Sequence, residues 1–99
     1  MNIAELAPRA DEAAELLAAM ANPKRLVVMC TLMSGERSVG ELAELVGLSP
    51  AALSQHLGKM RALRLVGTRR DGQTIYYSLA SSEVRAVLDT LYKVYCARE

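Results

Sequence analysis

The spacing of apolar positions changes along this chain, and the changes mark out its elements. From about Pro8 to Met20 the stretch RADEAAELLAAM is rich in Ala, Leu and Glu, with acids early where they complement a helix dipole. This predicts a first helix over residues 8–20. Asn22-Pro23 then offers a cap residue followed by proline at the first helical position, and Leu26, Cys30 and Met33 recur at helical spacing until Gly35. Ser38-Val39-Gly40-Glu41 has the capping-box spacing, and Leu42, Leu45 and Val46 give its helix an apolar stripe that ends near Gly47. Only Gly47 and Leu48 intervene before Ser49-Pro50 repeats the cap-plus-proline signal. Leu53, Leu57 and Met60 then mark one buried face of a helix running toward Arg64.

After Leu65 the period shortens. Val66–Arg70 and Thr74–Leu79 are β-prone, and Asp71-Gly72 between them is a preferred pair for a tight hairpin. Ser81 and Ser82 can cap a last helix over about residues 82–97, in which Val84, Val87, Leu88, Leu91, Tyr92 and Tyr95 form a broad apolar side. Two short helices joined by a tight glycine turn, followed by a hairpin, predict a mainly α fold with a β-hairpin wing. The expectation is one winged helix-turn-helix domain spanning residues 1–99, with five helices and one two-stranded hairpin. The helix-turn-helix occupies about 38–64 and the wing about 65–79.

Composition narrows the function classes. Ninety-nine residues, 52% apolar with four tyrosines as the only aromatics, fit one core of Leu, Val, Met and Ala. The N-terminus lacks a basic region leading into an apolar run, and nowhere do 18 apolar residues follow one another, so a cytoplasmic protein without a membrane span is expected. No nucleophile-plus-base motif and no phosphate-cradling glycine loop is present, so the chain reads as no enzyme and needs no cofactor.

The net charge of +1 hides an uneven distribution. Residues 1–48 carry four basic and seven acidic side chains, whereas residues 49–80 carry Lys59, Arg61, Arg64, Arg69 and Arg70 against Asp71 alone. A positive middle between acidic and neutral ends suits a protein that meets phosphates with one surface. With Leu53, Leu57 and Met60 inward, the helical angle places Ala51, Ser54, Gln55, Gly58 and Lys59 outward. Ala51 and Gly58 permit close approach to a groove, Ser54 can bond a base edge or phosphate, Gln55 can bind adenine at two points, and Lys59 can meet phosphate. Ser49 opens this helix and is expected among the residues that meet DNA. Arg69, Arg70 and Gln73 lie toward the hairpin tip, within reach of a minor groove or flanking backbone. His56, at the flank of the buried face, has either a structural hydrogen bond or a phosphate to meet. Double-stranded operator DNA is the expected partner.

The first and last helices, at about 8–20 and 82–97, carry more apolar surface than so small a core covers, which predicts a homodimer. Two reading helices would then face half-sites about 34–36 Å apart on a near-palindromic operator.

The two cysteines, Cys30 and Cys96, have neither CxxC nor zinc-ribbon spacing, so with one histidine they make no tetrahedral metal site. A permanent disulfide does not suit a reducing compartment. Two readings stay open: free core thiols, with Cys30 on the Leu26 and Met33 stripe, or a pair that oxidises on a signal.

The stretch from Asn22 to Leu79, with NPKRL, GLSPAALSQHLGKMRALRLV and RRDGQTIYYSL, resembles the ArsR/SmtB family of winged-helix repressors. With cysteines in MCTLMSGERSVGEL and LYKVYCARE, it is most similar to the reactive-sulfur- and redox-sensing branch of the BigR/YgaV/SqrR/HlyU type. The resemblance implies a dimer built from the first and last helices, base contact through Ser54 and Gln55, and release from DNA when Cys30 and Cys96 are oxidised or linked by persulfide or polysulfide. SVGELAELVG holds no cysteine and the last helix no histidine, a departure from the metal-sensing members that leaves no zinc, nickel or cadmium site expected. Alternatives are a sensor of arsenite or another thiophilic metal, and a winged-helix module that binds proteins.

Overall fold

Most of the described helices begin where a side-chain oxygen meets their free amides. In the computed structural model, which describes residues 1–96, a one-turn helix α1 (Ile3–Leu6) and a 3₁₀ turn (Ala7–Arg9) lead into α2 (Ala10–Met20) and α3 (Pro23–Leu32). A short strand β1 (Arg37–Ser38) precedes α4 (Val39–Val46) and α5 (Pro50–Ala62), then come β2 (Val66–Asp71), β3 (Thr74–Leu79) and α6 (Ser82–Tyr95). Asn22 accepts from the Lys24 and Arg25 amides, Ser49 from Ala52 and Ser81 from Val84. Ser38 and Glu41 form the expected reciprocal box, at 3.2 and 3.0 Å, and these bonds hold the Glu41 carboxyl below the ordinary carboxylate value. Each such cap contributes about 1 kcal/mol.

Three boundaries differ from the sequence expectation. The helix expected over 8–20 starts at Ala10, because Pro8 has no amide to give and its ring crowds the preceding turn, so the chain there tightens into a 3₁₀ turn. The sheet has three antiparallel strands in the order β1-β3-β2, not two, with Arg37 opposite Tyr77 and Ser38 opposite Tyr76. Asp71 pairs with Thr74, so the hairpin turns on Gly72-Gln73, with Gly72 at φ +63°. Glycine at the first central position is the requirement of a type II′ turn. The expected last helical residue, 97, lies outside the described residues.

The helix-turn-helix itself forms as expected. Gly47 ends α4 at φ +68°, a left-handed position that glycine occupies without a Cβ clash, and the Leu48 amide returns to the Ala43 carbonyl at 3.1 Å. At the far end of α5, Arg64 takes the same left-handed conformation, φ +61°, although it carries a side chain. Its neighbour Leu65 donates to the Met60 carbonyl at 2.9 Å, closing a Schellman motif that turns the chain into β2. The conformation costs about 1–2 kcal/mol in a residue with a Cβ. Burial of Leu65 and Val66 immediately beyond it opposes that cost.

The core joins Val28, Met29 and Leu32 of α3, Leu42 and Val46 of α4, Leu53, Leu57 and Met60 of α5, and Val66, Leu79, Val84 and Leu88. The terminal elements contribute little to it. Among residues of α2 only Ala19 and Met20 are buried, and of α6 only Val84 and Leu88, while Leu17, Tyr92, Val94 and Tyr95 are exposed. The radius of gyration is 14.7 Å, above the roughly 13 Å of a compact domain this long. The excess agrees with terminal helices that stand clear of the core. Among the described residues, no helix is long and apolar enough to cross a membrane.

Candidate nucleic-acid interface

Helix α5 divides cleanly into two faces. Leu53, Leu57 and Met60 have no exposure at all, whereas Ala51, Ser54, Gln55, Gly58 and Lys59 are all exposed. The structure therefore brings together on one open face the residues that the helical angle placed there. A Cβ built on Gly58 meets nothing within 4 Å, so the small residue is not demanded by anything inside this chain. Ser49 is also exposed, but its hydroxyl oxygen accepts from the Ala52 amide at 3.1 Å and is the cap of the helix. Its side chain is engaged in starting α5.

His56 is half-buried between the two faces. Its Nδ1 accepts from Arg25 Nε at 3.0 Å, and the same guanidinium donates to the Ala19 carbonyl at 3.1 Å. The structural hydrogen bond is thus present, and on the neutral ring it leaves Nε2 as the donor.

The wing treats its two arginines differently. Arg69 forms a forked contact with Glu36, with Nη2 at 2.6 Å and Nε at 3.2 Å from the carboxylate, and its guanidinium lies 4.7 Å from the centre of the Tyr76 ring directly opposite it. These bonds hold the Glu36 carboxyl below its ordinary value. Successive strand residues face opposite sides, so Arg70 projects away from this cluster and is exposed. Gln73 is exposed at the turn itself. Glu36 lies just before β1, the strand that the sequence did not announce, and that strand is what brings it beside the wing.

Cys30 is not a core side chain. It is exposed on α3, because the buried face is centred on Val28, Met29 and Leu32, with Leu26 and Met33 half-buried at its edges. The expected stripe through Leu26, Cys30 and Met33 is corrected by that rotation, which a helix apolar on most of its circumference does not reveal in its spacing. Cys96 is exposed as well. Partial desolvation pushes the Cys30 thiol above its ordinary value, and the charge of Cys96 adds to the shift. Among the described residues, no three His, Cys, Asp or Glu side chains come together as a metal cluster.

Residues 22–68, from the cap of α3 into β2, match the model of the bacterial regulatory proteins of the arsR family. The chain is 46% identical over 96 residues to the transcriptional activator HlyU of Vibrio cholerae, covering 97% of this chain and 89% of that protein. It belongs to the ArsR family. The nodulation protein NolR of Rhizobium meliloti is 56% identical over 86 residues, covering 87% of this chain and 70% of that protein. The crystal structure of the transcriptional repressor BigR from Xylella fastidiosa superposes with a TM-score of 0.92 at 39% identity, covering 99% of this chain and all of that one.

As an ArsR-family transcriptional regulator the chain binds DNA, and the matched residues hold α3, α4 and α5 with the start of β2. Arg25, Glu36 and Tyr76 escaped the sequence reading because their partners are distant in sequence and carry no spacing signal. Gly58 offers a test of the open face. Gly58→Ala is expected to stabilise the fold by about 0.5–1 kcal/mol, through helix propensity alone, while weakening duplex binding. Thermal melting and a binding titration check the opposite signs, and a variant improved in both would show that this face never comes close to DNA.

Proposed function

We propose that this regulator is a cytoplasmic repressor that holds a near-palindromic operator as a homodimer and lets go when Cys30 and Cys96 are oxidised or linked by reactive sulfur species. The observation that carries the reading is the placement of two exposed cysteines, far apart in sequence, where the charge of one raises the other. Ser54 and Gln55 at the centre of the α5 face read base edges, Lys59 and Arg70 hold phosphates, and Gln73 reaches the flanking groove. Ser49 fixes the start of that helix, Ala51 lets it approach closely, His56 offers Nε2 toward the backbone, and Arg69 stiffens the wing.

Chemically, a thiolate of the pair attacks a polysulfide sulfur and expels the shorter polysulfide, leaving a cysteine persulfide. The second thiolate attacks the cysteine's own sulfur in that persulfide and expels hydrosulfide, so the two thiols lose two electrons to the polysulfide and end linked; where the first step instead leaves two added sulfurs on the cysteine, attack on the inner one of these expels hydrosulfide and leaves a one-sulfur bridge. Because desolvation and Cys96 disfavour the Cys30 thiolate, reaction at Cys30 quickens as pH rises. A link between the end of α3 and the end of α6 ties the helix beside the reading unit to the dimerisation helix. The spacing of the two reading helices changes with it.

By the usual scale of coupling between sites, about 1–3 kcal/mol, modification weakens operator binding roughly 5- to 150-fold. Cys30→Ser and Cys96→Ser are each expected to bind DNA as the unmodified protein does and to lose the response to polysulfide. Gel-shift titrations before and after treatment, with intact mass spectra to read the added sulfur, test this. Operator affinity unchanged by polysulfide in the wild-type protein would sink the switch.

A further inference from the structure

We infer that Arg25 is a positioning residue for DNA reading: one guanidinium fixes α5 against the end of α2 by donating at once to His56 Nδ1 and to the Ala19 carbonyl. The inference rests on α5 being the reading helix. Everything else that holds α5 inward is apolar, namely Leu53, Leu57 and Met60. Such contacts fix depth well but are non-directional, so by themselves they allow small rotations and slides of the helix. Base readout needs its side chains held within about 0.5 Å and 10–20°. A fork with two donors in a rigid plane supplies the missing directional restraint, provided that both acceptors sit on different elements.

They do. His56 lies on α5 between Gln55, on the open face, and Leu57, on the buried one, so its ring reports the rotation of the helix directly. Ala19 lies in the last turn of α2, where carbonyls have run out of intrahelical donors, and Ala21 beyond it has left helical geometry. Arg25 itself is in the first turn of α3 and is half-buried, and its backbone amide is held by the Asn22 cap at 3.2 Å. The base of the side chain is therefore anchored by the same turn that starts the helix. Through this one residue the end of the outlying helix α2, the start of α3 and the middle of α5 share a rigid joint.

The experiment uses a duplex that the wild-type protein selects from a random-sequence pool, and an unrelated duplex of equal length, at one fixed salt concentration. Arg25→Ala and His56→Ala are each expected to bind the selected duplex about tenfold more weakly, with binding to the unrelated duplex barely changed. His56→Asn, whose Oδ1 takes the place of Nδ1 as acceptor, is expected to restore the selected-duplex affinity. The double variant Arg25→Ala/His56→Ala is expected to be no worse than either single one, because both remove the same joint. Equal losses on both duplexes, strict additivity in the double variant, or failure of His56→Asn to rescue would each overturn the role. If the wild-type protein bound duplex but selected no sequence, the reading role of α5 would fall and this inference with it.

Discussion

Leu57→Ala is expected to lower the unfolding free energy by about 2–5 kcal/mol, the usual cost of emptying a buried leucine site. Leu57 has no exposure and sits in the middle of the α5 inward face, between Leu53 and Met60 and within a core that also draws on α3, α4 and β2. A hole there has walls from several elements, so none of them can collapse into it alone. A domain of this size is stable by only about 5–15 kcal/mol, which makes the change a large fraction of the total. Urea unfolding at a fixed protein concentration, so that any association is held constant, measures it. A loss below about 1 kcal/mol would mean that the site relaxes freely and that α5 is not held by its apolar face.

Tyr92→Glu/Tyr95→Glu is expected to leave a folded monomer whose operator affinity is about 10²- to 10⁴-fold weaker, because joining two reading units multiplies affinity by that order. Tyr92 is 60% and Tyr95 68% exposed in the single chain, so neither change disturbs its core. In a dimer built on α2 and α6 the same positions are covered, and two carboxylates facing an apolar partner without counter-charges keep the chains apart. Light scattering should then report the 10.8 kDa chain instead of twice that mass. A wild-type protein already monomeric, or a variant still dimeric, would remove α6 from the interface.

Short-range chemistry was the legible part of this fold. The Asn22, Ser49 and Ser81 caps, the Ser38-Glu41 box, Gly47 and the inward Leu53, Leu57 and Met60 all follow from side chains and backbone groups within a few residues of one another, and the sequence displays such spacings directly. What stayed hidden depends on distant partners. Strand β1 is only two residues long and exists because Tyr76 and Tyr77 offer it a ladder. The Arg25 fork and the Glu36 pair join positions about thirty residues apart. Cys30 was misplaced for another reason: α3 is apolar around most of its surface, so periodicity left its facing ambiguous. For the candidate site, the outward residues of α5 were legible one by one, whereas the occupation of His56 and Arg69 by partners within the chain was not.

The Glu36-Arg69 pair alters what a duplex would encounter. A protein's salt sensitivity on DNA follows the number of cations it displaces from the phosphate sheath, and only side chains that arrive without a resident anion displace one at full strength. Of the five basic residues between positions 49 and 80, Arg69 arrives with its anion already in place. The effective valence of each protomer on DNA is therefore expected to be at most four from this segment, one less than the sequence displays.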